Sequence, residues 1–139
     1  MLEKVVVVGK GDDAVEVRFK ASAALPRLYM AKIHRDLIKD FAQLQKEMKE
    51  KGKFKVDENG EETVETSVED INIKTLMLFE DISYIMAFHA CSEEEKKSFP
   101  KTADDWLEQF STFSIYEILP EIMELWAMNN ATSSVSKKK

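Results

Sequence analysis

The stretch 70-DINIKTLMLFEDISYIMAFHAC-91 decides how the rest of the chain is read. It is apolar nearly all the way round a helix. Asp70, Lys74 and Asp81 fall within about 40° of one another at ~100° per residue, which leaves only a narrow polar edge. A helix with so little polar surface has to be covered on several sides, so it is expected at the centre of a helical domain, over residues 69–91. The other elements are read as its cover.

Upstream, Val5 to Val8 form a β-branched run that Gly9, Gly11, Asp12 and Asp13 interrupt. Val15, Val17 and Phe19 then alternate with Glu16, Arg18 and Lys20, the period of a half-buried strand. A β-hairpin over 4–20 is expected, and a lone hairpin needs something to lie on. From Pro26 the period becomes helical. Met30, Ile33, Leu37, Phe41, Leu44 and Met48 make one stripe, which predicts helix over about 26–50. His34-Arg35-Asp36 is a candidate break within it, with Asp36 capping the second piece. Residues 53–67 are mostly charged and read as a solvated loop, in which Asn59-Gly60 is also a hairpin turn signal.

Downstream, Ser92 and the charged residues after it lead out of the central helix. Thr102 with Asp105 reads as an N-cap and its acidic third residue, opening a short helix over 103–110. Ser114 with Glu117 is a capping box for a helix over 115–128, where Ile115, Ile118, Ile122 and Leu125 share a face. Pro120 lies too deep in that helix to be free of cost, so a kink or restart is expected there. Residues 130–139 are too polar to order. The expectation is therefore a mainly α (α+β) fold: one domain over 1–129, an N-terminal β-hairpin, then a compact bundle of about four to five helices.

Length and composition agree with a single soluble domain. The 139 residues are 44% hydrophobic and 33% charged, which is neither disordered nor membrane-like. The net charge of −6 argues against a surface built to neutralise nucleic-acid phosphates. The single cysteine fits a reducing compartment, and the N-terminal apolar run is too short for a signal sequence, so a cytoplasmic protein is expected.

Chemistry-bearing residues are sparse. His89 and Cys91 form the closest His/Cys pair, but the remaining histidine, His34, leaves a zinc site short of ligands. Cys91 at the end of a buried helix reads as core. The acidic loop lacks calcium-loop spacing, and GKGDD lacks the phosphate-loop spacing. No catalytic, cofactor or metal residue is assigned, and no enzyme is expected. The heavy apolar residues Trp106, Phe110, Phe113, Ile118, Leu119, Ile122 and Trp126 have two readings, core filling or a binding surface for an apolar helix, and periodicity does not choose between them.

Two segments resemble a known family. In 21-ASAALPRLYMAKIHRDLIKDFAQLQKE-47, residues Ser22, Ala23, Ala24, Pro26, Tyr29, Asp36, Leu37, Lys39 and Asp40 follow the wording of the tail assembly chaperones of long-tailed phages and prophages of Gram-positive bacteria. Asp105 to Phe110, Leu119 to Ile122 and Trp126 resemble the family's C-terminal helices, as does the Ser/Thr-rich tail ending in lysines. His34 departs from the aromatic–glycine pair of the family before the Arg-Asp step. The resemblance implies a non-enzymatic chaperone. It would bind the long helical tape measure protein, keep it soluble and help recruit tail tube subunits through a longer frameshifted form. Self-association, a host-cytoplasmic location and absence from the finished virion come with it. Competing readings are a structural tail component, such as a connector or completion protein, and an unrelated helical adaptor.

Overall fold

The computed structural model describes residues 2–9, 11–51, 53–56, 62–65, 72–110, 115–118 and 120–126. It is mainly helical, with a two-stranded antiparallel hairpin at the N-terminus.

Strands β1 (Leu2–Val8) and β2 (Val15–Ala21) pair from Leu2↔Ala21 to Val8↔Val15. The turn between them uses Gly9 at φ 93° and Gly11 at φ 60°, a region that glycine enters without a Cβ clash. Alternation then sorts the faces. Val8, Val17, Phe19 and Ala21 are buried, while Val5, Val7, Glu16 and Arg18 look outward.

The expected helix over 26–50 is two helices, α1 (Leu25–Ile33) and α2 (Leu37–Lys51). Pro26 lies in the first turn of α1, where no backbone donor is needed. His34 ends α1 in the left-handed region, φ 65° and ψ 32°, with its N–H donating to the Met30 carbonyl at 3.0 Å. Asp36 Oδ1 then accepts from the Lys39 N–H at 3.2 Å and opens α2. The bend reassigns the stripe. Leu25 and Tyr29 supply the core from α1, and Met30 is half exposed; on α2, Leu37, Phe41 and Leu44 stay buried.

Strands β3 (Lys53–Val56) and β4 (Glu62–Glu65) pair antiparallel, Lys53↔Glu65 to Val56↔Glu62. The charged segment therefore carries the second hairpin that Asn59-Gly60 signalled; those two residues themselves lie outside the described ones.

Helix α3 (Ile73–Ala90) is the centre of the molecule. Leu76, Phe79, Ile82, Tyr84, Ile85, Met86 and Ala87 are all buried on it, and it packs against β2, α1, α2 and a later short helix over Ala103–Leu107. Asn72 caps it by accepting from the Lys74 N–H at 2.8 Å. The end of α2 is tied to this cap. The carboxylate of Glu47, only 8% exposed, accepts from the Asn72 N–H and, at 3.0 Å, from the Thr75 hydroxyl.

After α3 the chain does not simply lead out. Ser92 and Glu95 form a reciprocal capping box that opens α4 (Glu93–Ser98). Thr102 caps α5 (Ala103–Leu107) through the Asp105 N–H at 3.1 Å, a helix three residues shorter than the expected 103–110. The expected helix over 115–128 is a 3₁₀ turn, Ile115–Ile118, followed by α6 over 120–126. Pro120 is the first described residue of α6, and a 3₁₀ turn instead of α-helix precedes it through Ile118, so the segment breaks near the proline as expected. Ser114 and the tail 130–139 lie outside the described residues. Six α-helices are thus described where four to five were expected; the break at His34 and the unforeseen α4 supply the difference.

Candidate functional site

The C-terminal aromatic segment had two readings, core or partner surface, and burial bears on its described members. Trp106 is 1% exposed, under the hairpin and against α3. Its ring meets Phe19 at 6.4 Å and 88°, Tyr84 at 5.9 Å and Phe110 at 5.0 Å, mostly edge-on as aromatic quadrupoles prefer. Trp126 stacks on Phe41 of α2 with centroids 4.8 Å apart. Ile118 and Ile122 are buried, and Phe110 packs partly buried on the same core. Phe113 and Leu119 lie outside the described residues. In the isolated chain the described members of this set fill the core, and they offer little face to a partner.

Large apolar side chains do reach the surface, but elsewhere. Among the described residues they are Val5 and Val7 on β1, Met30 on α1, Ile38 on α2, and Ile73 and Met77 on the first two turns of α3. Among the described residues of 70–128 the large apolar side chains are therefore mostly core, and the exposed ones, Ile73 and Met77, sit at the N-terminal end of α3.

A polar cluster joins α1, α2 and α3. The Arg35 guanidinium donates to Asp40 at 2.8 Å, to Asp81 at 2.6 Å and to the Tyr29 hydroxyl at 3.0 Å, while that hydroxyl donates to Asp40 at 2.7 Å. Burial first, and then the bond to Asp40, raise the Tyr29 pKa well above that of a free phenol. Burial opposes the charge on Arg35, but its bonds to Asp81 and Asp40 outweigh that and hold it cationic. The cluster reads as a clasp that fixes the bend at His34. Tyr29 and Asp40, two residues that carry the family resemblance, thus have a packing role. Beside the clasp lies a cavity of about 290 Å³ lined by Lys32, Arg35, Asp81, Tyr84, Lys101 and Asp104.

His89 and Cys91 are not brought together as a reactive pair. His89 Nε2 lies 2.8 Å from Ser22 Oγ, which also accepts from the Ala24 N–H at 3.2 Å. Burial, then Lys20 and Lys96, depress the His89 pKa. The Cys91 thiol is pushed up by burial and by Glu95, and its S–H points to the Ala87 carbonyl at 3.4 Å. A thiol held protonated is a poor nucleophile. It borders a second cavity, of about 240 Å³, with Arg18, Glu95 and Trp106. Arg18 closes one side by pairing with Glu95 at 2.8 Å.

One more acid is perturbed. Tyr116 donates to Glu80 and anchors the 3₁₀ turn to α3. Burial raises the Glu80 pKa more than this bond lowers it, and the Tyr116 pKa is pushed up to about 12 by burial and by Glu80. The residues that sequence reasoning missed here, Glu47, Glu80 and the Arg35 clasp, all look like ordinary surface charges in one dimension. Among the described residues, no three His, Cys, Asp or Glu side chains are grouped to hold a metal ion, and no helix is long and apolar enough to cross a membrane. No family model, no curated protein and no solved structure matches this chain.

Proposed function

We propose that this protein is a tail assembly chaperone of a long-tailed phage or prophage, which binds amphipathic helical segments of the tape measure protein and keeps them soluble. The observation that carries the reading is the order of the sequence resemblance. A hairpin leads to the Ser22–Tyr29 wording, then to Asp36–Asp40, and finally to Asp105–Phe110 and Leu119–Ile122. The partner is an apolar helix, so recognition falls to exposed apolar side chains, of which Met30, Ile38, Ile73 and Met77 lie on helices. Each contact is weak. Many copies along one long partner add avidity, and a net charge of −6 per copy keeps the coated complex soluble. Tail tube subunits are recruited through a longer frameshifted form, and the protein is absent from the finished particle.

The test is co-expression with the tape measure protein encoded beside it. The expected result is a soluble complex that co-purifies, and that Ile73→Glu with Met77→Glu weakens without lowering the melting temperature. A tape measure protein that stays equally insoluble with and without this chain overturns the chaperone reading. If the chain then appears in mass spectra of purified particles, it is a structural tail component instead.

A further inference from the structure

We propose that the cavity beside the Arg35 clasp, with the lysines that continue it along the C-terminal half of α3, docks an acidic peptide segment of a partner protein, whose carboxylate side chains pair with Lys101, Lys32 and Lys96. The cavity supplies the first part. It holds about 290 Å³ between the end of α1, the middle of α3 and the start of α5, and Lys32, Arg35 and Lys101 bring three cations to it against Asp81 and Asp104. Asp81 is already taken by Arg35 at 2.6 Å. Among the described residues, no carboxylate forms an ion pair with Lys32 or Lys101. Arg35, Lys101, Thr102 and Asp104 are exposed, so the cavity opens to solvent and does not enclose a small ligand.

Positive charge continues past the cavity over an aromatic floor. The Lys32 ammonium lies 4.4 Å from the centre of the Phe88 ring and 6.0 Å from that of Tyr84. Lys96 of α4 lies 5.3 Å from the same Phe88 ring. The acid beside Lys96 is Glu93, 3.4 Å away with 93% of its side chain exposed, a pair of little strength. Next to Phe88, His89 feels both Lys20 and Lys96, which push its pKa down. The ring faces attract Lys32 and Lys96 and hold them in place. Rings carry no net charge, so the repulsion among these ammonium groups is not cancelled until an anion joins them.

Charge and shape together choose the occupant. In a chain of net charge −6, a group of cations short of acids is a local reversal of sign, and it attracts an anion of limited size. A nucleic acid fits poorly, because phosphates beyond the lysines meet the negative remainder of the surface. A free small acid fits poorly too. One exposed ion pair changes affinity only a few-fold, too little to hold a lone ligand in an open cavity. A peptide joins several such pairs through one backbone, and each later pair forms at high effective concentration. The cavity takes one carboxylate with Lys32 and Lys101, and Lys96 receives the next. This site works by charge, whereas the chaperone reading uses exposed apolar side chains, so either can fail without the other.

The test titrates the isotope-labelled full chain with an end-blocked peptide of alternating Glu and Ala and follows the backbone amides by NMR. The expected result is a saturable set of shifts centred on Lys32, Phe88, Lys96 and Lys101, weakened by added salt and absent with the matching Gln–Ala peptide. Lys32→Met/Lys101→Met keeps the apolar stems and should lower the affinity about tenfold, as the loss of two partly exposed ion pairs gives. Lys101→Met alone, at an exposed position, gives the same reading at smaller size if the double variant does not fold. Lys74→Met, at the opposite end of α3, should leave the affinity almost unchanged. The absence of saturable shifts, or an equal loss from Lys74→Met, overturns the proposal. Glutarate binding as tightly as the peptide would make the ligand a free acid, and tighter binding of an oligothymidine would make it a phosphate chain; either result overturns the peptide as occupant.

Discussion

Replacing Trp106 with alanine tests whether the C-terminal aromatic segment belongs to the core. The indole is 1% exposed and in ring contact with Phe19 of β2, Tyr84 of α3 and Phe110, three residues past α5. A buried tryptophan removes roughly 150–250 Å² from water, which at about 25 cal/mol per Å² is about 4–6 kcal/mol of gross transfer energy. Part of that returns as neighbours relax into the space, and large-to-small substitutions of this kind cost about 3–5 kcal/mol. A domain stable by about 5–15 kcal/mol loses a large share of its margin. The melting temperature should fall by about 10 °C or more. Urea titration followed by far-UV circular dichroism is the assay, with the midpoint shifting at a nearly constant slope. Trp106→Phe should cost less, because a ring remains against Phe19 and Tyr84. In both variants the remaining indole, Trp126, reports the native state by fluorescence through its stacking on Phe41. An alanine variant with a wild-type urea midpoint and an unchanged slope would refute the burial argument and return Trp106 to the candidate partner surface.

Other perturbations probe the polar clasps and the bend. A double-mutant cycle over Arg35→Met and Asp81→Ala should give a coupling energy of about 1 kcal/mol and no more, because Arg35 keeps 42% of its side chain in water; additive effects would show that the pair does not act as a clasp. Glu80→Gln should stabilise the protein at neutral pH. The folded state raises this pKa above 4.5, so the wild-type contribution is full below 4.5 and is lost as pH rises through the folded value. The gain should accordingly shrink on acidification, and a gain independent of pH would assign it to something other than the charge. His34→Gly should raise stability by up to about 1 kcal/mol, since a left-handed residue without a Cβ carries no clash; a loss measured by chemical denaturation would mean that the imidazole makes a contact worth more than the strain.

The hairpin and the central helix were legible because period and composition agreed. Strict alternation over Val15–Lys20 admits few alternatives, and a helix apolar on nearly every side has one place to go. The break at His34 was marked only as a candidate because the apolar spacing from Ile33 to Leu37 stays in helical phase across it. A left-handed residue leaves no hydrophobic signature, and here glycine, the usual sign, is absent. Helix α4 was overlooked although Ser92 and Glu95 show the capping spacing, because six largely charged residues suggested solvent. Glu47 was invisible for a similar reason. A carboxylate that accepts from a helix cap is buried by its partners, and those stand 25 and 28 residues away. The aromatic segment stayed undecided because core and binding surface draw on the same residue types, and only the contacts of Trp106 and Trp126 separate them.

The bond from Glu47 to Asn72 has a consequence for how this chain can vary over evolutionary time. It joins Glu47 near the end of α2 to Asn72 at the cap of α3, so the chain leaves one helix and enters the next at one place. Each doubling of a flexible insert costs only about 0.6 kcal/mol of closure entropy. Residues between those two can therefore be gained, lost or exchanged with little penalty to the body, provided that the acid at 47 and the amide at 72 are kept. This junction is a natural graft point, where length and charge can drift quickly while the domain beneath stays as it is.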